Sequence, residues 1–433
     1  MAEPTGIDTD PVASAWQSMC QIGATKLLVG MAIALNIFQV FQTQSHRQTQ
    51  QDFAHYYVSS KLWLQGKQVY GVDLTPHYES HGWNALEEPV DQATNPPALV
   101  ALFAPLAMLA APVAHTAWML IQAIAAAGAC WCVWRCVKGT ISVDGFRLIL
   151  AIYLFLPFLK VHFFYSQVQL LLMAMVFCAY QLTLAANESE SGSRTRGIIA
   201  CLVVAIATLL KVYPLVLLPW FVWRSDRHMS GRIVAGVVAG AALAIGVWLT
   251  DASMWLNFID YGLATVSMWM KISQECFTIS NTLHQFGSLV TGDITSDVLV
   301  RVGSYIGIAI LAVFYLSLVF RPAKLERAAL NVELALLVLL MLFCGATCWW
   351  HYLVFLLFPF QVIASKLKDA HMIFSIISFA IVVFLLAKID FPSANIEFLE
   401  RLLNQRPLLA MMLMAAFLAF KLKSNEHLAV ADR

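Results

Sequence analysis

The chain has 433 residues, of which 60% are hydrophobic and 12% charged, and its formal net charge is +1. Soluble domains carry roughly twice that charged fraction, and a chain without a basic surplus has no electrostatic basis for binding nucleic acid. The composition therefore excludes an ordinary soluble protein and a nucleic-acid-binding protein.

Successive apolar runs of about 17 to 25 residues predict an all-α integral membrane protein, because a backbone in lipid must pair its polar groups within its own segment. The first run lacks the basic start and cleavage site of a signal peptide and is interpreted as a retained helix. We predict about twelve transmembrane helices, at 24–42, 113–134, 147–163, 167–186, 197–211, 213–223, 231–250, 301–320, 330–346, 351–365, 371–389 and 407–422.

Two places in this series are irregular. Segment 95–112 is apolar enough to cross, which would make thirteen helices and invert the side of every later joint. Its four prolines and lack of flanking charge favour a re-entrant or surface-lying helix. Pro214 separates the short segments 197–211 and 213–223, and interrupted helices at membrane depth usually line a cavity buried in protein.

The joints between the predicted helices differ in charge. Sixteen of the 27 Lys and Arg residues lie in joints of one face, and six lie in joints of the other. By the positive-inside rule the first face is cytoplasmic, which places both termini there and the long loops 43–112 and 251–300 on the outer face. Residues 1–433 are thus predicted to form one polytopic domain of the cell membrane with a site on the extracytoplasmic, or periplasmic, side.

The sequence gives little indication of a metal-binding site or of disulfide bonds. The nine cysteines lie mostly inside apolar runs and form no paired CxxC motifs. His77 and His81 have the spacing of a ligand pair on a helix, but no third ligand is evident. We therefore expect no metal and no other cofactor.

Polar and aromatic residues recur in the segments that the charge pattern places on the outer face. Asp52 opens one of these segments directly after the first helix, and an ionisable residue at membrane depth is a functional hypothesis by default. A carboxylate can accept the proton of an attacking hydroxyl, and cations or hydrogen-bond donors can stabilise a phosphate leaving group. Aromatic and apolar walls can hold a sugar and a prenyl tail. Together these residues indicate glycosyl transfer from a lipid-linked donor.

The candidate site residues fall into three groups. Asp52 is the predicted general base. The predicted contacts to the donor phosphate or sugar are Lys211, His351, Tyr213, Gln167, Lys160 and Lys271. The predicted contacts to the acceptor or sugar are His55, Tyr56, Tyr57, Asn95, Asn281 and Trp350.

Each of these residues also has a structural interpretation. Asp52 has the position of a loop cap, and Lys211 that of a side chain that snorkels to the interface. Asn281 fits an ordinary helix cap, and Trp350 fits an interfacial aromatic belt.

Four stretches share a pattern with a known family. They are DFAHYYVSSKLWLQGKQVYG with NPPALVALFAPLA, then YSQVQLLLMAMVF, LKVYPLVLLPWFVWR and WWHYLVFLLFP. In this order they resemble glycosyltransferase family 87, which includes polyprenyl-phosphate-mannose-dependent mannosyltransferases. Ser166 stands where that family usually has glycine, and Gln169 where it usually has asparagine.

The resemblance implies a GT-C fold with large outer loops after helices one and seven, and an inverting transfer without a metal. It implies a polyprenyl-phosphate sugar as donor, with mannose the expected sugar, and the hydroxyl of a lipid or glycan as acceptor. Asp52 aligns with the catalytic base and His351 with a histidine near the donor phosphate. We expect a monomer among membrane lipids.

Two other classes of function stay open from the sequence. A transporter or flippase of lipid-linked sugars predicts inverted repeats with broken helices in both halves, and none is visible. A structural membrane subunit predicts polar residues scattered over both faces.

Overall fold

The computed structural model describes eleven parts of the chain, and within them it contains helices and no β-strand. These parts are residues 23–39, 51–81, 83, 92–188, 193–266, 275–291, 297–322, 325–345, 347–367, 381–387 and 403–431. The first nine helices are α1 Gly23–Gln39, α2 Gln51–Leu64, α3 Thr75–Glu79, α4 Pro97–Ala107, α5 Ala111–Val137, α6 Val143–Phe155, α7 Phe158–Tyr165, α8 Gln169–Glu188 and α9 Ser193–Leu210. The others are α10 Leu218–Arg224, α11 Met229–Leu249, α12 Ala252–Asn257, α13 Ile279–Thr291, α14 Asp297–Val319, α15 Arg327–Cys344, α16 Leu357–Leu367 and α17 Arg406–Ala431.

Five of these helices are long and apolar enough to cross a membrane, namely α5, α8, α11, α14 and α15. Helices α6 and α7 meet at a bend of 54° and add a sixth if the pair forms one span. The prediction of an all-α membrane protein is confirmed. The count of twelve spans stays a prediction, and most of predicted segment 371–389 lies outside the described residues.

Prolines set the irregular ends of several helices. Helix α9 ends at Leu210, four residues before Pro214, whose ring would clash with the carbonyl of that residue in a continued helix. Pro157 stands at the bend between α6 and α7. Helix α4 has 11 residues and is about 16 Å long, roughly half of a hydrocarbon core. It is therefore too short to cross alone, and the re-entrant or surface-lying position of segment 95–112 stays a prediction.

Helices α8 and α15 form the interior of the bundle, whereas α11 and α14 expose most of their apolar side chains. A buried ion cluster holds the interior together at one end of the bundle. The Glu333 carboxylate of α15 accepts hydrogen bonds from Arg224 at 2.7 and 3.0 Å, from Arg321 at 3.2 Å and from the Trp220 indole at 3.1 Å. Removing one partner of such a cluster costs about 3–5 kcal/mol, because a charge is left buried and unpaired.

The two segments predicted as outer loops contact each other. The Tyr70 and Phe258 rings lie 5.9 Å apart, and the Thr265 hydroxyl donates to the Gln92 amide oxygen at 3.2 Å. Further along, the Phe277 amide donates to the Cys348 carbonyl at 2.7 Å. Parts of the loops 43–112 and 251–300 and the segment before Trp350 therefore share one end of the bundle.

Basic joints lie together at the other end. Arg327 donates to the Arg135 carbonyl at 3.2 Å, and Arg224 donates to the Pro322 carbonyl at 2.7 Å. Helix α5 separates the two ends, because the His115 ring near its start contacts Phe53 at 4.8 Å whereas Arg135 lies in its last turn. The twenty residues between them span about 30 Å of helix.

Candidate active site

Asp52 lies in the first turn of α2, where the helix dipole favours a carboxylate. Its side chain is partly buried, and its charge acts on Lys211, Tyr56 and Tyr352. These partners come from the start of α2, the end of α9 and the 3₁₀ helix Trp350–Leu356. Three distant parts of the sequence therefore converge on this carboxylate.

Lys211 is held beside Asp52 by the first long loop. Its ammonium donates to the Asn95 side-chain oxygen at 2.9 Å, and the buried Asn95 accepts at its own carbonyl from the Tyr70 hydroxyl at 2.6 Å. Burial lowers the pKa of Lys211 to about 8, and the Asp52 carboxylate opposes that shift. The side chain is therefore mainly cationic at neutral pH, and Asp52 and Lys211 form an electrostatically coupled pair, the Asp52–Lys211 pair.

Two histidines border this pair as neutral rings. Burial, with a smaller effect of Lys211, lowers the pKa of His55 to about 4, and its Nδ1 lies 2.9 Å from the Tyr78 hydroxyl. Burial also lowers the pKa of His351 well below its usual value, with His162 and Lys211 acting in the same direction. Each imidazole can donate one hydrogen bond at neutral pH, and neither supplies a positive charge.

Tyrosines complete the wall around the pair. The Tyr56 hydroxyl donates to the Gln167 side-chain oxygen at 2.9 Å, and burial together with the Asp52 charge raises the pKa of this phenol. The Tyr213 and Tyr352 rings lie 5.1 Å apart, and the His351 ring contacts Tyr352 at 4.9 Å. The phenols stay protonated, so they offer hydroxyl donors and flat apolar faces.

The structure groups eight of the predicted residues around the Asp52–Lys211 pair: Asp52, Lys211, Asn95, His55, Tyr56, Gln167, Tyr213 and His351. Tyr57 is directed elsewhere, since its hydroxyl donates to the Leu109 carbonyl at 2.8 Å. Trp350 packs between Phe158 and Phe277 at ring distances of 6.5 and 5.0 Å.

The remaining predicted residues either lie away from the Asp52–Lys211 pair or fall outside the described residues. The Asn281 amide donates to the Cys276 carbonyl at 2.8 Å, at the start of α13. Lys160 is partly buried on α7 and makes no hydrogen bond, ion pair or ring contact with the described residues. Lys271 lies outside the described residues.

Sequence reasoning missed Tyr70 and Tyr78, which anchor Asn95 and His55 from the first long loop. Tyr70 lies in the first stretch that resembles the family, but nothing in that stretch marks it as a partner of Asn95. Tyr78 lies beyond that stretch, in the short helix α3, where no sequence signal singles it out. Ser166 has a left-handed backbone with φ 53° at the end of α7, which explains why glycine suits this position. Its hydroxyl lies 3.2 Å from the His115 ring, and its carbonyl accepts from the Trp118 indole at 2.7 Å.

The described residues contain no group of three or more His, Cys, Asp or Glu side chains arranged to hold a metal ion. The predicted pair His77 and His81 does not converge with a third ligand there. The His81 Nε2 instead lies 3.5 Å from the Lys61 ammonium, which would compete with a metal cation.

An apolar groove of about 850 Å³ lies near the site. It passes between α1, α5, the bent pair α6–α7 and the start of α8. The groove includes His115, whose ring contacts Phe53, the residue next to Asp52. Other lining residues include Ile33, Ile37, Leu120, Ala123, Ala127, Leu150, Leu154, Phe163 and Met173.

Comparison with known families gives one match. The model of glycosyltransferase family 87 matches residues 93–346, which is more than half of the 433-residue chain. The matched region contains Asn95, Gln167 and Lys211, whereas Asp52 and His351 lie outside it. No curated protein matches the chain.

Proposed function

Because the chain belongs to glycosyltransferase family 87 and is a membrane glycosyltransferase, we propose that it transfers a sugar from a polyprenyl-phosphate donor to an acceptor hydroxyl. Mannose is the proposed sugar, and a lipid or glycan carries the hydroxyl. The observation that carries the proposal is the Asp52–Lys211 pair beside an apolar groove. The pair supplies a base and a phosphate-binding cation, and the groove accepts a lipid tail.

In the proposed reaction, Asp52 removes the proton of the acceptor hydroxyl as its oxygen attacks the anomeric carbon. A new carbon–oxygen bond forms on one face of the sugar, and the bond to the phosphate oxygen breaks on the opposite face. The electron pair leaves with the polyprenyl phosphate. This in-line displacement inverts the anomeric configuration, and no step requires a metal.

Lys211 is the proposed cation for the departing phosphate, because its ammonium is partly buried and fixed by Asn95. A charge held in place before the reaction stabilises developing negative charge more effectively than mobile water does. His351, Tyr213 and Tyr352 are placed to add neutral hydrogen bonds or ring contacts. His55, Tyr56 and Gln167 are proposed to contact the sugar or acceptor.

The apolar groove is the proposed path of the polyprenyl chain. Its lining from α1, α5 and α6–α7 offers few polar atoms to a nucleotide and a continuous apolar surface to isoprene units. We propose that the Asp52 end of the bundle faces the extracytoplasmic side of the cell membrane, where a lipid-linked donor replaces cytosolic nucleotide sugars. Residues 1–433 then form one domain with both termini in the cytoplasm.

The test is turnover of a radiolabelled polyprenyl-phosphate sugar panel by purified protein, with total membrane lipid as acceptor. Asp52→Asn is expected to lower turnover by roughly 10²- to 10⁴-fold, because the amide cannot take the proton. Asp73→Asn is the matched control, since Asp73 is exposed in the same loop and accepts only a local amide hydrogen bond at 2.9 Å. Full turnover by a folded Asp52→Asn protein would contradict the mechanism.

A further inference from the structure

A basic pocket lies at the end of the bundle opposite Asp52. Arg135, Lys138 and Gly139 at the end of α5, together with Arg327 at the start of α15, line a cavity of about 400 Å³. The proposed reaction uses none of these residues, because α5 places them about 30 Å from His115 along the helix. The pocket needs a separate explanation.

The charges of the pocket are only partly balanced by the protein. Arg327 forms a two-pronged ion pair with Glu188 at 2.8 and 3.0 Å, and this pair neutralises one cation. Arg135 and Lys138 are both exposed and have no carboxylate partner among the described residues. These residues leave two positive charges beside one cavity, an arrangement that favours an anionic ligand.

The position of the pocket favours a lipid anion over a soluble one. Trp131 lies one turn before Arg135 on the same span, is 60% exposed, and its ring lies 6.0 Å from the Arg135 guanidinium. An exposed tryptophan at the end of a membrane span is typical of the headgroup level of a bilayer. Basic pockets between membrane helices at this level bind phospholipid headgroups.

We propose that this pocket binds the phosphodiester headgroup of an anionic phospholipid. Arg135 and Lys138 contact the phosphate oxygens, while Arg327 remains paired with Glu188 and holds α8 and α15 against the end of α5. Gly139 has φ +93°, and a Cβ built there would meet no atom within 4 Å, so the cavity is open beside the backbone. The bound headgroup then lies at the end of α5, next to the ends of α8 and α15 that Arg327 joins to it.

The experiment is a titration of phosphatidylglycerol into the purified protein in neutral detergent, followed by native mass spectrometry. Replacing both cations, by Arg135→Gln with Lys138→Gln, is expected to weaken binding roughly thirtyfold, because each basic group near a phosphate raises the affinity about fivefold. The control is Arg194→Gln with Arg196→Gln, which removes the same charge from exposed positions at the start of α9. It is expected to change binding by less than about twofold.

Further arms of the same titration distinguish the sources of the anion. Phosphatidylcholine and inorganic phosphate are both expected to bind more weakly than phosphatidylglycerol. An equal loss of phosphatidylglycerol affinity in the two double variants would indicate diffuse electrostatic attraction and overturn the proposal. Competition by inorganic phosphate at the same concentration as phosphatidylglycerol would overturn it as well. If the pocket variant does not purify, the single exposed substitution Lys138→Gln gives the same test, with an expected weakening of about fivefold.

Discussion

At the scale of single residues, two opposing effects set the protonation state of Lys211 in the candidate site. Removal from water disfavours the charged form of Lys211, whereas the Asp52 carboxylate favours it. The first effect is larger, so the pKa falls to about 8. A phosphate group entering the site would meet an ammonium that is already fixed by Asn95 and incompletely solvated.

This balance predicts a pH dependence of donor use. Phosphate binding needs cationic Lys211, so kcat/KM for the donor is expected to hold between neutral pH and pH 8 and to fall about tenfold per pH unit above it. His55, with a pKa of about 4, is already neutral across that range. Lys211→Arg keeps its charge to above about pH 12, and its profile is expected to stay flat to pH 9.5. If kcat/KM falls equally at alkaline pH in the unsubstituted protein and in Lys211→Arg, the fall comes from another titratable group.

Sequence reasoning proposed Asp52 and Lys211 as site residues because ionisable side chains at membrane depth are rare and costly. It did not identify Tyr70 and Tyr78, because their importance lies in which side chains they touch. It treated His351 as a possible stabiliser of the phosphate without specifying its charge. Burial, which only the tertiary structure supplies, makes that ring a neutral one.

At the scale of elements, broken helices position the residues of the candidate site. Pro214 ends α9 at Leu210, so the next residue, Lys211, leaves the helix at the site. The bend at Pro157 turns α7 away from α6, and both helices line the apolar groove together with α5. A straight α6–α7 span would have a different surface against α5. The interruptions therefore shape both the candidate site and the apolar groove near it.

The groove gives a prediction about chain length. Ala123→Trp would fill part of the groove and is expected to raise the KM for a long-chain donor about tenfold or more, because displaced isoprene units lose their apolar contacts. A donor with a short prenyl chain is expected to be affected less. The comparison is a steady-state measurement with donors of two lengths.

Ile124→Trp is the matched control for that experiment. Ile124 is the next residue of α5, is 73% exposed and is not part of the groove lining. If both variants raise the KM equally, or if Ala123→Trp affects both donors equally, the groove does not hold the polyprenyl chain.

At the scale of the whole molecule, the bundle has two chemically different ends. The long loops, the Asp52–Lys211 pair and the aromatic wall share one end, whereas the basic joints and the buried Glu333 cluster share the other. The two ends therefore carry different kinds of polar residue among the described parts of the chain.

The proposed orientation is testable with cysteine labelling in right-side-out vesicles. Lys67→Cys is expected to react with a membrane-impermeant maleimide from outside, because Lys67 is exposed in the first long loop. Arg194→Cys, exposed at the opposite end, is expected to react only after the membrane is disrupted. Labelling is compared with the unsubstituted protein, which carries nine native cysteines. The reverse pattern would show that the orientation is opposite to the proposed one. Equal labelling of the two positions would contradict the proposal that they lie on opposite sides of the membrane.

The sequence by itself determined that this protein is a helical membrane protein, because long apolar runs leave the backbone no other way to pair its polar groups in lipid. Its motifs also indicated the family, since they combine charge, aromatic residues and proline in a characteristic order. Only the tertiary structure decided which polar residues meet. Contacts such as Lys211 with Asn95, or Tyr56 with Gln167, join residues more than 100 positions apart. Such pairs depend on the packing of whole helices, which local sequence patterns do not specify.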